Sequence, residues 1–412
     1  MTLSLSIRES LKIALRALRA NKARGSLTTL GIIIGIVAVV VTMTATNGLQ
    51  NRFRESFASV GTDVIYVSRV PWVVMNDFFL YRNRPNLDLR DARALEEKLR
   101  GRAIVNPTMD GRQDVKYRAE TMEGVVILGT TEKQMRMSSA QPQSGRFLLP
   151  FDVTYKKNVC VIGTDVRDGV FGTVSPLNKI IKIGRVPFRV IGIMEKQGGS
   201  FLGGPNFDRQ IYVPITAYVK AFGGSHGRQE VNVAVKAPSQ EAVADLEYSV
   251  IGEMRKIREL RPTQPDNFSI NKLDTLVGAF NNTMGVVLLV GLIVTSISLF
   301  VGAVGVMNIM FVSVTERTRE IGVRKAIGAT RRSILLQFLF ESSAICLLGG
   351  TIGIVLASLL TLVINAALMP ASISVPILII AVVVSIGVGL MAGIVPAYRG
   401  AKLDPIESLR YE

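Results

Sequence analysis

The sequence predicts a membrane protein: four transmembrane α-helices, with a large α+β extracytoplasmic domain between the first and second. Three observations carry this. Charge is absent from Thr275 to Thr315 and again from Ser342 to Tyr398. The Lys/Arg excess flanks the apolar runs, although the 412-residue chain carries a formal charge of +16. A long polar stretch between the first and second apolar runs alternates strand-like and helical patterns.

A hydrocarbon core of roughly 30 Å takes about 20 helical residues at 1.5 Å each. The reading places transmembrane helix 1 at 26–47, helix 2 at 284–314, helix 3 at 333–368 and helix 4 at 377–398. The run from Ser342 to Tyr398 is too long for one helix and breaks at 369–376, where Pro370 and Pro376 interrupt the hydrogen-bond ladder. The first span is too long for the apolar stretch of a cleaved signal peptide, so it is expected to be retained. Gly31 and Gly35 within it suit close helix contact, although glycine is common in membrane helices.

Orientation follows from positive charge in short flanking segments. Residues 1–25 carry Arg8, Lys12, Arg16, Arg19, Lys22 and Arg24 against Glu9, and 315–332 is similarly basic, whereas the turn at Pro370 has no charge. Both termini, including the tail 399–412, are therefore expected in the cytoplasm of a cell inner (plasma) membrane, with 48–283 outside. The basic excess is thereby assigned to topology rather than to nucleic acid.

Residues 7–19 pattern as an amphipathic helix lying in the lipid headgroups or on a partner. Leu49, Phe53, Phe57 and Val60 continue the period of span one, and Leu276, Phe280 and Met284 extend span two outward. These read as a stalk, with a short surface helix as the alternative.

In the external segment, strands are expected at Asp63–Val67, Gly124–Leu128, Asn158–Ile162, Lys179–Ile183, Val190–Ile193, Gln210–Val213 and Val231–Val235. Helices are expected at Asp88–Leu99, with Asp88 as cap, and at Gln240–Leu260. One helix is early and the other late, which suggests a subdomain made by the two ends of the segment and a β-rich insertion between them.

The motifs of a P-loop, a zinc-protease helix and a dithiol pair are missing: no G-x-x-x-x-G-K-[ST], H-E-x-x-H or C-x-x-C occurs. The one histidine, His226, lies in a Gly/Ser-rich loop, and Cys160 and Cys346 read as two buried thiols. The chain is expected to be non-catalytic, without a metal or cofactor of its own.

The most informative segment joins spans two and three: Val314-Thr315-Glu316-Arg317-Thr318-Arg319-Glu320-Ile321-Gly322-Val323-Arg324-Lys325-Ala326-Ile327-Gly328-Ala329. It reads as a charged helix ending at Gly328, with Thr330 capping the next. A positive-inside anchor loop would not need Ile321, Val323 and Ile327 among the charges; a helix docking into a groove on another protein would.

This segment, preceded by Val306-Met307-Asn308-Ile309-Met310, resembles the signature of MacB-type, FtsX-superfamily ABC transporter permeases. The stretch Asn21–Ile32, the run Asn158–Gly163, Val170-Phe171-Gly172, Val190–Ile193 and Pro396–Ala401 with Asp404–Arg410 resemble other parts of the same family. Residues between about 70 and 145 show little likeness.

The resemblance implies a mechanism. A permease dimer, homodimer or paralogue heterodimer, docks on two copies of an ABC ATPase, which bind ATP and Mg. Closure of the ATPase is passed through the first two spans and the stalk to the external domain, moving cargo on the outer side. Carried over, Glu316, Arg317, Arg319, Glu320, Ile321, Gly322, Arg324, Lys325 and Ala326 would couple to the ATPase. Gly31, Gly35 and Asn308 would pack the spans, and Leu49, Phe53, Phe57 and Phe280 would form the stalk. A periplasmic adaptor and an outer-membrane channel are further partners it implies, besides membrane lipid. MacB-type members carry the ATPase fused at the N-terminus; this chain begins at the amphipathic helix, so a separate ATPase polypeptide is expected. Export from the periplasm, FtsX-like regulation of a cell-wall hydrolase or signalling partner, and lipoprotein extraction are the three readings this leaves.

Glu341, an acid near the membrane, is expected to pair with Arg331 or a neighbouring helix. Asn308, Asn365 and the serines of span two are expected to hydrogen-bond between helices.

Overall fold

The computed structural model describes residues 22–57, 61–74, 78–198, 206–223, 230–367 and 372–409. The amphipathic helix expected at 7–19, Val60, His226 and the turn at Pro370 lie outside them. The chain forms two compact units, Arg52–Asn281 and the remainder.

The chain enters through α1 (Lys22–Ser56), whose charge-free middle leaves a helix as the conformation that satisfies every backbone group in lipid. Helix α1 continues past 47 to Ser56, through the Leu49 and Phe53 positions read as stalk. Strand β1 (Val64–Ser68) follows, then α2 (Leu89–Lys98). Asp88 caps α2 by accepting from the backbone N–H groups of Arg90 and Asp91, while Asp91 accepts from the Asp88 N–H in a reciprocal capping box.

Strands β2 (Ile104–Tyr117) and β3 (Glu120–Thr130) form a long hairpin. After β4 (Pro142–Gly145) and β5 (Val159–Ile162) come α3 (Thr164–Phe171), β6 (Ile180–Ile183), β7 (Val186–Met194) and β8 (Gln210–Pro214). Helix α4 (Ile215–Phe222), β9 (Asn232–Lys236), α5 (Val243–Ile257) and β10 (Ser269–Lys272) complete the unit, with single helical turns at Phe78–Arg82, Gln134–Met137 and Pro150–Thr154.

The strands run β10-β1-β9-β2-β3-β8-β5-β7-β4, and β6 pairs with β2 and β7. Strand β2 belongs to both halves: Ile104–Thr108 pair with β9, and Met109–Tyr117 pair with β3. The half made of β10, β1, β9 and the start of β2 is antiparallel and comes from the two ends of the segment. Helices α2 and α5 belong to it, burying Leu95, Leu99, Val250 and Met254. Arg258, the C-cap of α5, locks the two together: its Nη1 donates to Asp91 Oδ2 at 2.8 Å and to the Asn86 carbonyl at 3.0 Å.

Every strand expected from sequence overlaps an observed one, but the short β4 and β10 and the long β2 were not anticipated. In β2, Pro107, Asp110, Gly111 and Asp114 break the hydrophobic pattern, and the distal half, paired with β3 and β6, turns polar residues outward. Helices α3 and α4 were missed as well, each being only 8 residues long.

The other unit holds most of α1 and of α6 (Leu273–Glu316), with α7 (Thr318–Ala326), α8 (Arg331–Ala367), α9 (Val375–Lys402) and α10 (Pro405–Leu409). Among the described residues, 4 helices (α1, α6, α8 and α9) are long and apolar enough to span a bilayer. At 44 residues α6 is roughly 66 Å long, twice the depth of a hydrocarbon core. Helices α8 and α9 pack closely where small residues meet: a Cβ on Gly389 would fall 2.6 Å from the Cα of Ser343.

Candidate functional site

The segment between the second and third spans folds as α7, set off from α6 by a break at Arg317 (φ −103°, ψ 16°). It ends at Gly328, whose φ of +105° suits glycine alone, and Ala329 N–H closes the end on the Arg324 carbonyl at 2.9 Å. Thr330 Oγ1 then accepts from Ser333 N–H at 3.3 Å as α8 begins.

Helix α7 has two faces at the three- and four-residue spacing of one helical stripe. Thr318, Ile321, Gly322 and Lys325 turn inward. Ile321 is 2% exposed, in a cluster with Val314, Ile334, Phe338 and Ala397. A Cβ on Gly322 would lie 2.6 Å from Ser408 Cβ, so α10 sits directly on this glycine. Lys325 Nζ donates to the carbonyls of Ala401 (2.5 Å) and Leu403 (2.7 Å), satisfying the C-terminal end of α9. Burial pushes the Lys325 pKa down and nearby Arg331 adds to the effect, against Asp404.

Glu316, Arg319, Glu320, Val323, Arg324, Ala326 and Ile327 face outward. Arg324 pairs with Glu320 one turn back and donates to Gln337 Oε1 at 2.8 Å. Ile327 is 82% exposed, Val323 is exposed beside it, and Ile406 on α10 is a further exposed apolar side chain.

The residues expected to couple therefore separate into two sets. Arg317, Ile321, Gly322 and Lys325 hold α7 against its own chain; Ile321, expected to need a partner's cover, is covered by neighbouring helices. Glu316, Arg319, Glu320, Arg324 and Ala326 form the accessible stripe. Of the two partners expected for Glu341, Arg331 or a neighbouring helix, the second holds: Arg317, the N-cap of α7, reaches both carboxylate oxygens through Nη1 at 3.2 Å. The break at Arg317 turns its side chain toward α8, a placement that a continuous helical pattern does not reveal. The contributions of Ser408 and of the α9 carbonyls were also missed, since nothing local in sequence marks them.

Of the span residues, Gly31 and Gly35 face α6, against Gly302 and Leu299. Asn308 does not pack between helices; it lies on the exposed side of α6. Ser296 Oγ donates to the Leu292 carbonyl of its own helix at 2.6 Å, because a hydroxyl four residues on reaches that oxygen without a second helix. In the stalk, the rings of Phe53 and Phe280 stack at 3.9 Å with planes 4° apart, and Phe57 tilts against Phe53 at 5.1 Å. Leu49 is half-buried on α1.

Four apolar helices long enough to span a bilayer, a mixed α+β domain between the first two, and a short two-faced helix between the second and third define a multi-span membrane protein with one large inserted domain. Residues 26–251 match the MacB-like periplasmic core domain, and residues 292–405 match the FtsX-like permease C-terminal region. The chain belongs to the MacB-type, FtsX-like family of ABC transporter permeases. It is 33% identical over 411 residues to the macrolide export ATP-binding/permease protein MacB of Bdellovibrio bacteriovorus, covering 98% of this chain and 62% of that protein. It is 33% identical over 403 residues to the protein of the same name from Neisseria gonorrhoeae, covering 97% and 60%. The chain thus spans about three-fifths of the length of these relatives. The crystal structure of the periplasmic region of MacB from Actinobacillus actinomycetemcomitans aligns with 55% of this chain and 96% of its own, at 20% identity and a TM-score of 0.44.

Proposed function

We propose that this chain is the non-catalytic permease of an ATP-driven efflux system, and that the outward stripe of α7 is where an ABC ATPase docks. Both termini and α7 face the cytoplasm of the inner membrane, and the domain between α1 and α6 faces the periplasm. ATP and Mg bind the ATPase, two copies of which serve a pair of permeases. Each closure moves α7, and the long helices α1 and α6 pass the motion to the periplasmic domain, which expels substrate outward with an adaptor and an outer-membrane channel.

The observation that carries the reading is the division of α7. One face is tied to α9 and α10 through Lys325 and Gly322, so a push on the helix is delivered to the bundle. The other presents Ile327 and Val323 among charged residues, a composition suited to a groove on another protein. The name of the relatives, ATP-binding/permease, supports an ATPase as the occupant.

The test is affinity purification of the tagged chain from native membranes in mild detergent, with mass spectrometry of whatever accompanies it. The expected result is a P-loop ATPase in near-equal amount, depleted at least tenfold by Ile327→Asp. Undiminished recovery with both Ile327→Asp and Val323→Asp would remove α7 as the docking element.

A further inference from the structure

The unit Arg52–Asn281 contains a cavity of about 340 Å³ where its two halves meet. That volume falls within the roughly 300–1,000 Å³ typical of small-molecule sites. Tyr66 on β1 stands on one side and Tyr212 on β8 on the other, with Trp72, Phe207, Gln197 and Gln210 completing the features that matter. Among the described residues, no Asp, Glu, Lys or Arg lines it. A charged ligand would enter without a counter-charge, which the low dielectric of such a space penalises heavily.

Two details show that the lining is built rather than left over. Trp72, the chain's one tryptophan, remains 42% exposed yet is fixed in place. Its backbone N–H donates to Asn271 Oδ1 at 2.8 Å, Asn271 donates in turn to Ser68 Oγ at 2.7 Å, and its ring lies 4.9 Å from that of Tyr66. Gln197 is held as firmly: its own N–H and that of Gly198 donate to the buried carboxylate of Asp208 at 2.7 and 2.9 Å. Yet, among the described residues, Gln197 Nε2 is buried with no hydrogen-bond partner. It lies beside the Tyr212 phenol, whose pKa burial raises and Gln197 counters. A buried N–H₂ group without an acceptor is unfavourable, and a positioned one is a donor awaiting an oxygen.

We propose that this cavity binds an uncharged, ring-bearing, mostly apolar molecule that stacks on Trp72 and Tyr66 and presents a carbonyl oxygen to Gln197 Nε2. The site is separate from α7, and its occupancy requires no ATPase, so the two proposals fail independently.

The full chain, labelled with 5-fluorotryptophan and reconstituted in lipid nanodiscs, gives one ¹⁹F resonance, from Trp72. Three probes are titrated: coumarin, which is neutral and carries a lactone carbonyl; naphthalene, which lacks an acceptor; and coumarin-3-carboxylate, which is anionic. The expected result is a saturable shift with coumarin, weaker binding of naphthalene and no saturation by the carboxylate. Gln197→Leu should weaken coumarin by roughly three- to tenfold, the worth of one neutral hydrogen bond, and leave naphthalene unchanged. Gln197→Met repeats the comparison with a side chain closer in shape if the leucine variant is unstable. A shift that never saturates, equal binding of the carboxylate, or an undiminished coumarin preference in the folded variants would overturn the proposal; each would leave water or empty space as the occupant.

Discussion

Gly31 on α1 and Gly302 on α6 meet backbone to backbone: a Cβ added to Gly31 would lie 3.2 Å from the Gly302 Cα. Neither helix has a side chain there that could move aside. Gly31→Leu should therefore separate the two helices, at a cost of about 1–3 kcal/mol for overpacking. The check is the thermal transition of the detergent-solubilised chain, expected several degrees lower, with Gly31→Ala intermediate. A leucine variant as stable as wild type would mean that the contact bears no load.

The pair Arg317–Glu341 makes a second expectation. Glu341 is buried and the Arg317 guanidinium is its counter-ion. Removing Arg317 alone leaves a carboxylate without compensation, whereas removing both charges does not. Arg317→Met should lower stability by roughly 2–4 kcal/mol, and Glu341→Gln added to it should recover at least half. Denaturation of the single and double variants decides it; an additive result would show the two side chains to be energetically independent.

Glu320 and Arg324 belong to the exposed stripe and pair with each other rather than with the core. An exposed i,i+4 pair contributes only about 0.3–0.5 kcal/mol to its own helix. Replacing both with alanine should thus leave insertion and melting nearly unchanged while uncoupling ATP hydrolysis from efflux by tenfold or more. ATPase rate and transport measured on the same reconstituted complex separate the two effects, and intact coupling would contradict the docking assignment.

Stability of the domain between α1 and α6 should fall in alkali. Burial pushes the Tyr66 phenol up to about 12 from 10.0, with Asp63 adding to it, and burial likewise takes Tyr212 to about 12. Both folded values exceed the unfolded one, so the stabilisation is complete below pH 10 and is lost as pH rises toward 12. Each phenol contributes a slope of up to about 1.4 kcal/mol per pH unit in that window. Circular-dichroism melts should steepen above pH 10, and Tyr66→Phe with Tyr212→Phe should flatten the dependence.

The spans were legible because membranes impose length and neutrality together, and Glu316–Gly328 was legible as a helix because its charges and apolar residues keep a helical period. What sequence could not assign was which face of that helix its own chain occupies. Ile321 and Ile327 are both isoleucines among charges, yet one is buried and the other open. The difference is made by Ile334 and Phe338 of α8 together with Ala397 near the end of α9, the last arriving from far along the chain. The same holds for the cavity: Tyr66, Gln197 and Tyr212 are brought together by a sheet whose strand order bears little relation to chain order. Strand β2 was obscured for a local reason, since Pro107, Asp110 and Gly111 imitate the punctuation of a loop.

Strand β1 sits between β9 and β10, the last two strands of its domain to be synthesised. During biogenesis Val64, Ile65 and Val67 leave the translocation machinery early and wait, unpaired, for almost the whole domain to follow. The β3–β8 portion can collapse in the meantime, but the half joined to the membrane helices closes only when residues 269–272 appear, immediately ahead of α6. Completion of that half is thereby timed to the delivery of the second span, and a nascent chain stalled before β10 presents an open sheet edge to envelope chaperones and proteases.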